Sequence, residues 1–158
     1  MAISNLVMKI SNAFKDDSRF IIDDNISSKA LMVYGIDNKE YENIDIGTKV
    51  IFPVNKHGLV YGFIIYGSTG YAIKGYDIVS AGIASLSYHV INTIRRYTQD
   101  EDKYKEDDLL QMQMFVLPNM RFGIGSEIAK VTLKSMITSM LDLQSTYSQH
   151  IKVIIKWD

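Results

Sequence analysis

The spacing of apolar residues divides the chain into a short N-terminal segment and a longer C-terminal one. Between residues 3 and 14 apolar side chains recur every three or four positions, which predicts an amphipathic helix whose buried face carries Ile3, Val7, Ile10 and Phe14. Apolar runs at 19–22 and 30–34, separated by turn-forming residues 23–25, predict two short strands. The polar stretch 37–45 predicts a loop. We therefore expect residues 1–47 to form an N-terminal extension of a helix and short strands.

A hairpin is predicted at the start of the C-terminal segment, residues 48–158. Val50, Phe52 and Val54 alternate with their neighbours, and residues 59–66 are rich in aromatic and β-branched side chains. Residues 55–58 supply the turn between the two strands. Because Pro53 has no backbone N–H to donate, we expect the first strand to lie at the edge of its sheet.

Two helices follow, at positions where apolar residues return to helical spacing. The first is predicted over 78–97, with Val79, Ile83, Leu86, Val90 and Ile94 on one face. The second is predicted to begin at Ser126, a good N-cap residue, and to bury Ala129, Leu133, Met136, Met140 and Leu143. A neighbouring row on this second helix, Ile137, Leu141 and Gln144, is wide enough to touch another surface.

The remaining pattern completes an α+β fold. Alternating residues predict strands over 110–116 and 151–155, and the charged run 99–108 between the first helix and the next strand predicts a solvated loop. The order strand, strand, helix, strand, helix, strand packs most simply as a two-layer sandwich. We expect a mainly antiparallel sheet with both helices on one face.

Composition narrows the possible functions. The chain has 17 Lys and Arg against 18 Asp and Glu, so no overall positive field draws it to nucleic acid or to a membrane surface. The first ten residues lack the pattern of a secretion signal, and we expect a cytoplasmic protein. The absence of cysteine excludes disulfides, thiolate zinc sites and a cysteine nucleophile in this chain. We expect neither a metal nor a cofactor.

The most distinctive stretch is 67–82, in which a glycine-rich loop leads into the first helix. Gly67, Gly70 and Gly75 punctuate the loop, and Ser80 falls in the first turn of the helix. Unpaired backbone N–H groups and the helix dipole favour negative charge there, so this position suits an activated nucleophile or an oxyanion. The glycine spacing matches neither a Walker loop nor a dinucleotide fingerprint.

This stretch resembles the Prp family of ribosomal-processing cysteine proteases. Members carry a loop reading approximately Gly-His-Ala-Gly-Tyr-Ala, a short spacer, and then Gly-x-Asp-Ile-Val-Cys-Ala-Ala or Cys-Ala-Gly at the start of a helix. The matching positions here are Gly67, Gly70, Tyr71, Ala72, Gly75, Asp77, Ile78, Val79, Ala81 and Gly82. The likeness extends to the preceding hairpin and to the closing helix and strand, about 110 residues in all. It implies the family's fold, a peptide ligand and a homodimer, and the second apolar row of the last helix would suit the dimer contact.

The chain departs from the family at the two reactive positions. Ser68 stands where the family has its catalytic His, and Ser80 stands where it has the nucleophilic Cys. A serine hydroxyl is much harder to deprotonate than a thiol, and here it has lost its base. The sequence places none of the three histidines, His57, His89 and His150, for that task. The resemblance therefore implies a peptide-binding protease scaffold without catalytic residues.

For Ser80 and Asp77, a purely structural role is an alternative to a functional one. Ser80 can be a small residue that permits close packing or satisfies the helix end, and Asp77 can be a cap or a loop anchor rather than a catalytic acid. A Ser80–Lys74 catalytic pair would need a lysine of strongly lowered pKa, and nothing nearby in the sequence indicates the required burial.

We expect a catalytically inactive, Prp-like protein that acts by binding a peptide or protein, in a regulatory or phage-related role. The predicted peptide-binding residues are Gly67, Ser68, Gly70, Tyr71, Gly75, Asp77 and Ser80. Two alternatives stay open. One is a peptidase, processing a ribosomal protein or a phage precursor, with substituted active-site residues or a serine nucleophile. The other is a dimeric interaction module whose activity resides in residues 1–47.

Overall fold

Six strands and three helices make up the computed structural model, which describes residues 21–23, 47–108 and 111–158. The strands are β1 (Ile21–Asp23), β2 (Thr48–Val54), β3 (Gly62–Tyr66), β4 (Lys103–Asp107), β5 (Met112–Val116) and β6 (Ile151–Trp157), and the helices are α1 (Ile78–Tyr97), α2 (Pro118–Arg121) and α3 (Glu127–Thr146). The predicted strand at 19–22 overlaps β1. The predicted helix at 3–14, strand at 30–34 and loop at 37–45 lie outside the described residues.

The sheet is mixed, with strand order β1-β6-β2-β3-β5-β4. The pairs β2–β3, β3–β5 and β4–β5 are antiparallel, whereas β6 is parallel to both of its neighbours, β1 and β2. Antiparallel pairing thus predominates in the described sheet, and the α+β prediction is confirmed. β1 comes from the predicted N-terminal extension, yet it belongs to the same sheet as the C-terminal strands.

Pro53 lies in a central strand, and the prediction of an edge position is wrong. β6 enters the sheet beside β2, so β2 has a neighbour on each side. Towards β3 the register changes by one residue between the Ile51–Ile64 pair and the Val54–Val60 bridge. Such an irregularity relaxes the demand for an N–H at each position, and proline is tolerated there.

The charged run 99–108 is not entirely a loop, because Lys103–Asp107 form β4 at the outer edge of the sheet. An edge strand keeps one side open to water, so it can carry charged side chains that a central strand could not. Sequence pattern missed this strand since its charges gave no apolar alternation. The end of β4 forms one side of the candidate site.

Both long helices begin where the sequence predicts, and both N-caps are local. The carboxylate of Asp77 caps α1, and the hydroxyl of Ser126 accepts a hydrogen bond from the backbone N–H of Ala129 in α3. The two helices pack against each other near Gly82 and Leu143. Together they cover the face of the sheet that carries Val50, Phe63, Phe115 and Val153. In the described part of the chain, no helix is long and apolar enough to span a membrane.

The second apolar row of α3 is used inside the chain. Ile137, Leu141 and Gln144 are all at least 96% buried, and the Gln144 side chain accepts a hydrogen bond of 2.7 Å from the backbone N–H of Val153 in β6. The expectation that this row makes a dimer contact is therefore wrong. The homodimer itself stays a prediction.

Candidate functional site

Ser80 occupies the first turn of α1, where the sequence predicts it. The Asp77 carboxylate precedes the helix and accepts a hydrogen bond of 2.9 Å from the backbone N–H of Ser80. The Thr69 hydroxyl donates to the second oxygen of the same carboxylate. Asp77 is thus both the helix cap and the anchor of the loop, the structural role that the sequence analysis gave as the alternative to a catalytic acid. The Ser80 side chain itself is exposed.

The surroundings of Asp77 keep its carboxylate ionised. Partial burial raises the pKa of Asp77, but hydrogen bonds from the Thr69 hydroxyl and from nearby backbone N–H groups outweigh it and hold the pKa below the usual range. An ionised carboxylate at this position also interacts favourably with the positive end of the helix dipole. The charge that Asp77 carries therefore stabilises the loop and the start of α1.

The loop between β3 and α1 starts and ends at glycines with left-handed backbone. Gly67 has φ of 90° and Gly75 has φ of 93°, a region that residues with a Cβ rarely adopt. Between them, the Ser68 hydroxyl accepts a hydrogen bond of 3.3 Å from the backbone N–H of Gly70. The side chain that replaces the family's histidine thus contributes to a local turn of the loop.

Residues far away in sequence hold this loop in place. The Thr48 hydroxyl donates a hydrogen bond of 2.9 Å to the Gly67 carbonyl oxygen, and Nδ1 of His150 lies 2.9 Å from the Thr69 carbonyl oxygen. The Tyr71 ring meets the His150 ring edge-on, with centroids 5.2 Å apart, and packs similarly on Tyr147 at 5.6 Å. These contacts tie the loop to the start of β2 and the start of β6.

Beside the loop lies an open groove of about 760 Å³. One side consists of the loop and the first turns of α1, and the other consists of the end of β4 and the start of β5. Ile65 and Met112, both buried, are also among the lining residues. The backbone N–H of Gly67 donates to the Gln111 carbonyl oxygen at 2.9 Å, which joins the two sides at one end.

Most of the predicted site residues line this groove. Gly67, Ser68, Gly75, Asp77 and Ser80 do so, whereas Gly70 and Tyr71 are not among its lining residues. Sequence reasoning missed the opposite side, which carries Glu106, Asp107, Asp108, Gln111 and Gln113. It also missed Thr48 and His150, because no local signal links them to a loop that lies 19 and 81 residues away.

The groove lacks a base for Ser80 among the residues that the structure describes. No histidine lines it, and His150 directs Nδ1 at the Thr69 carbonyl oxygen instead. Lys74 is a lining residue, but its side chain is exposed and makes no described hydrogen bond to Ser80. Nor do residues 47–108 and 111–158 contain a group of three side chains placed to bind a metal ion.

The fold and the loop-to-helix arrangement define a peptidase scaffold of the Prp type. The sequence profile of the cysteine protease Prp family matches residues 47–152, more than half of the chain. This chain therefore belongs to the Prp family, although it contains no cysteine. Among curated protein sequences, none matches it significantly.

Solved structures of similar fold include Prp itself. The essential ribosomal processing protease Prp of Staphylococcus aureus, crystallised with a covalently linked product peptide, is 23% identical and superposes with a TM-score of 0.63; the match covers 69% of this chain and 99% of that one. The same protease with a substrate peptide gives a TM-score of 0.56 at 23% identity and the same coverage. SMU.848 from Streptococcus mutans is 16% identical, with a TM-score of 0.60 and coverage of 72% and 97%.

Proposed function

We propose that this chain is a catalytically inactive member of the Prp family that binds an extended peptide in the groove beside Ser80. The observation that carries the proposal is that Ser68 and Ser80, at the family's two reactive positions, both line an open groove whose loop and helix cap are intact. Contacts with Thr48, Asp77 and His150 hold the loop in a defined conformation, so the groove has a fixed shape without the two reactive groups.

The chemistry of the two serines argues for binding rather than cleavage. A free serine hydroxyl is a weak nucleophile unless an adjacent base takes its proton. The described groove offers no histidine for this role, and the Ser68 hydroxyl is engaged with the backbone of its own loop. What supports binding is an open groove along which α1 presents only small side chains, Ser80, Ala81 and Ala84.

The structural relatives indicate the class of ligand. The S. aureus protease has been crystallised with a substrate peptide and with a product peptide. By analogy, a peptide from the N-terminal extension of a large-subunit ribosomal protein, which the family processes, is the first ligand to test. A phage precursor with a similar motif is the second.

Binding and cleavage can be measured on the same peptide. Fluorescence anisotropy of the labelled peptide should give saturable binding to the wild-type chain, and mass spectrometry of the mixture after prolonged incubation should show the peptide intact. Ala81→Trp places a bulky side chain at the groove and should weaken binding at least tenfold. Ser85→Trp, one helical turn further along α1 and outside the groove, is the matched control and should bind like the wild type.

Two results would overturn the proposal. Specific cleavage of the peptide, or labelling of Ser80 by a fluorophosphonate probe, would identify the chain as a working peptidase with a serine nucleophile. Failure of both the ribosomal and the phage-type peptide to bind would remove the groove as a peptide site.

A further inference from the structure

We propose that the groove selects peptides that carry a lysine or arginine, and that Glu106 is the carboxylate that receives this side chain. The inference rests on the proposed peptide-binding function and adds the chemistry of the ligand. It starts from the uneven distribution of charge around the groove.

Acidic residues concentrate on one side of the groove. Glu106, Asp107 and Asp108 line the side made by the end of β4 and the turn after it, although strand alternation directs the Asp107 side chain to the opposite face of the sheet from Glu106. The lining residues also include one cation, Lys74, in the glycine-rich loop. The whole chain carries a net charge of only −1, so this is a local asymmetry. A cleft lined by one sign of charge attracts a ligand group of the opposite sign.

Glu106 is held in a defined orientation. The Tyr88 hydroxyl of α1 donates to Oε1 at 2.9 Å, and the Tyr104 hydroxyl donates to Oε2 at 3.0 Å. Gln113 in turn donates to the Tyr104 hydroxyl at 3.1 Å. Hydrogen bonding to Glu106 raises the pKa of Tyr88, so this phenol stays a neutral donor at physiological pH. A carboxylate fixed in this way loses little conformational freedom when a ligand binds.

The carboxylate retains acceptor capacity for a ligand cation. An ionised carboxylate has about four acceptor positions, and the two tyrosine hydroxyls occupy two of them. Neighbouring Arg95 does not neutralise Glu106, because its guanidinium forms a bidentate pair with Asp102 at 2.8 and 2.9 Å and lies over the Tyr104 ring. Lys105, the adjacent residue in β4, points to the opposite face of the sheet by strand alternation.

The other carboxylate at the groove serves a different purpose. Asp77 caps α1 and accepts from Thr69, so its oxygens are engaged on the loop side. Ile65, which is buried and pairs with Gln113 across the β3–β5 ladder, lies on the same sheet face as Glu106 and also lines the groove. The geometry therefore suits a peptide with a small or apolar residue near Ile65 and one basic residue towards Glu106.

A set of matched peptides tests this selectivity. The probes are labelled versions of the ribosomal extension peptide in which a single lysine is moved through successive positions, each with a counterpart bearing norleucine at that position. For at least one position, we expect the wild-type chain to bind the lysine peptide about two- to fivefold more tightly, because Glu106 is exposed and exposed ion pairs are weak. The preference should decrease as salt is raised.

Glu106→Gln should abolish the preference for the lysine peptide over its norleucine counterpart. Glu127→Gln, which makes the same chemical change on α3 outside the groove, should keep the preference. Equal binding of lysine and norleucine peptides at all positions would overturn this inference and leave the proposed function in place. The same applies if the preference survives in Glu106→Gln. If no peptide binds at all, the proposed function fails, and this inference fails with it.

Discussion

The Asp77 carboxylate accepts a hydrogen bond of 2.9 Å from the backbone N–H of Ser80, the residue at the family's nucleophile position. Its other oxygen accepts from the Thr69 hydroxyl, and the Thr69 carbonyl oxygen lies 2.9 Å from Nδ1 of His150. A continuous series of contacts therefore runs from the start of β6 through the glycine-rich loop to the start of α1. This series keeps the groove in shape whether or not catalysis occurs there.

Loss of the Asp77 side chain should destabilise the fold through α1. Asp77→Ala removes the N-cap and the partner of Thr69, and we expect the free energy of unfolding to fall by about 1 kcal/mol at neutral pH. Asp77→Asn should retain more stability because asparagine also caps helices well. Urea unfolding followed by circular dichroism measures both variants. Equal stability of Asp77→Ala and wild type would contradict this account of the cap.

The charge of Asp77 should also make this stability depend on pH. Because the pKa of Asp77 in the folded chain lies below its usual value, its ionised form favours folding above the unfolded-state pKa of about 3.9. The advantage of wild type over Asp77→Asn should therefore be complete near pH 6 and shrink as the pH falls through the lowered folded-state pKa. A constant difference between pH 6 and pH 2.5 would argue against the lowered pKa.

Restoring the family's reactive groups should restore part of their reactivity. In Ser80→Cys the thiol lies in the first turn of α1, where the dipole favours the thiolate, and adding Ser68→His supplies a base. We expect iodoacetamide at pH 7 to alkylate the double variant on the order of tenfold faster than Ser85→Cys, an exposed position further along the same helix. Indistinguishable rates would mean that the helix start no longer activates a nucleophile.

Two glycine substitutions should have opposite effects on stability. A Cβ at Gly47 would lie under 3.0 Å from the carbonyl oxygens of Ser68, Thr69 and His150, so Gly47→Ala should cost about 1–3 kcal/mol and displace the loop. A Cβ at Gly82 would meet Leu143 at 3.6 Å, an ordinary contact, inside a helix. Gly82→Ala should therefore stabilise the chain by about 0.5–1 kcal/mol. Thermal unfolding of the pair tests both, and destabilisation by Gly82→Ala would show that α1 and α3 pack more tightly there.

Removal of the His150 side chain should loosen the glycine-rich loop. His150→Ala loses the hydrogen bond to the Thr69 carbonyl oxygen and the edge-on contact with Tyr71, together worth about 1–2 kcal/mol. Hydrogen–deuterium exchange should then be faster in residues 67–75, while the remainder of the sheet is unaffected. His89→Ala, at an exposed position of α1, serves as the control. Unchanged exchange in the loop would mean that His150 does not hold it.

Local sequence determined the elements whose signals lie within a few residues. Ile78–Tyr97 is a helix because apolar residues recur at helical spacing and Asp77 caps its first turn, and the same reasoning applies to Ser126 and α3. The loop-to-helix stretch 67–82 also indicated the family and the two substituted positions without any structure. Each of these inferences depends on residues close together in the chain.

Only the tertiary structure decided which distant segments meet. It placed β6 beside β2, so that Pro53 is central, and it turned part of the charged run into β4. It also buried the second row of α3 and brought Glu106 and His150 to the groove and its loop. Sequence pattern specifies which side chains share a face, but strand order and the meeting of remote segments depend on packing over the whole chain. The substituted positions could therefore be identified from the sequence, whereas the acidic side of the groove could be found only in the fold.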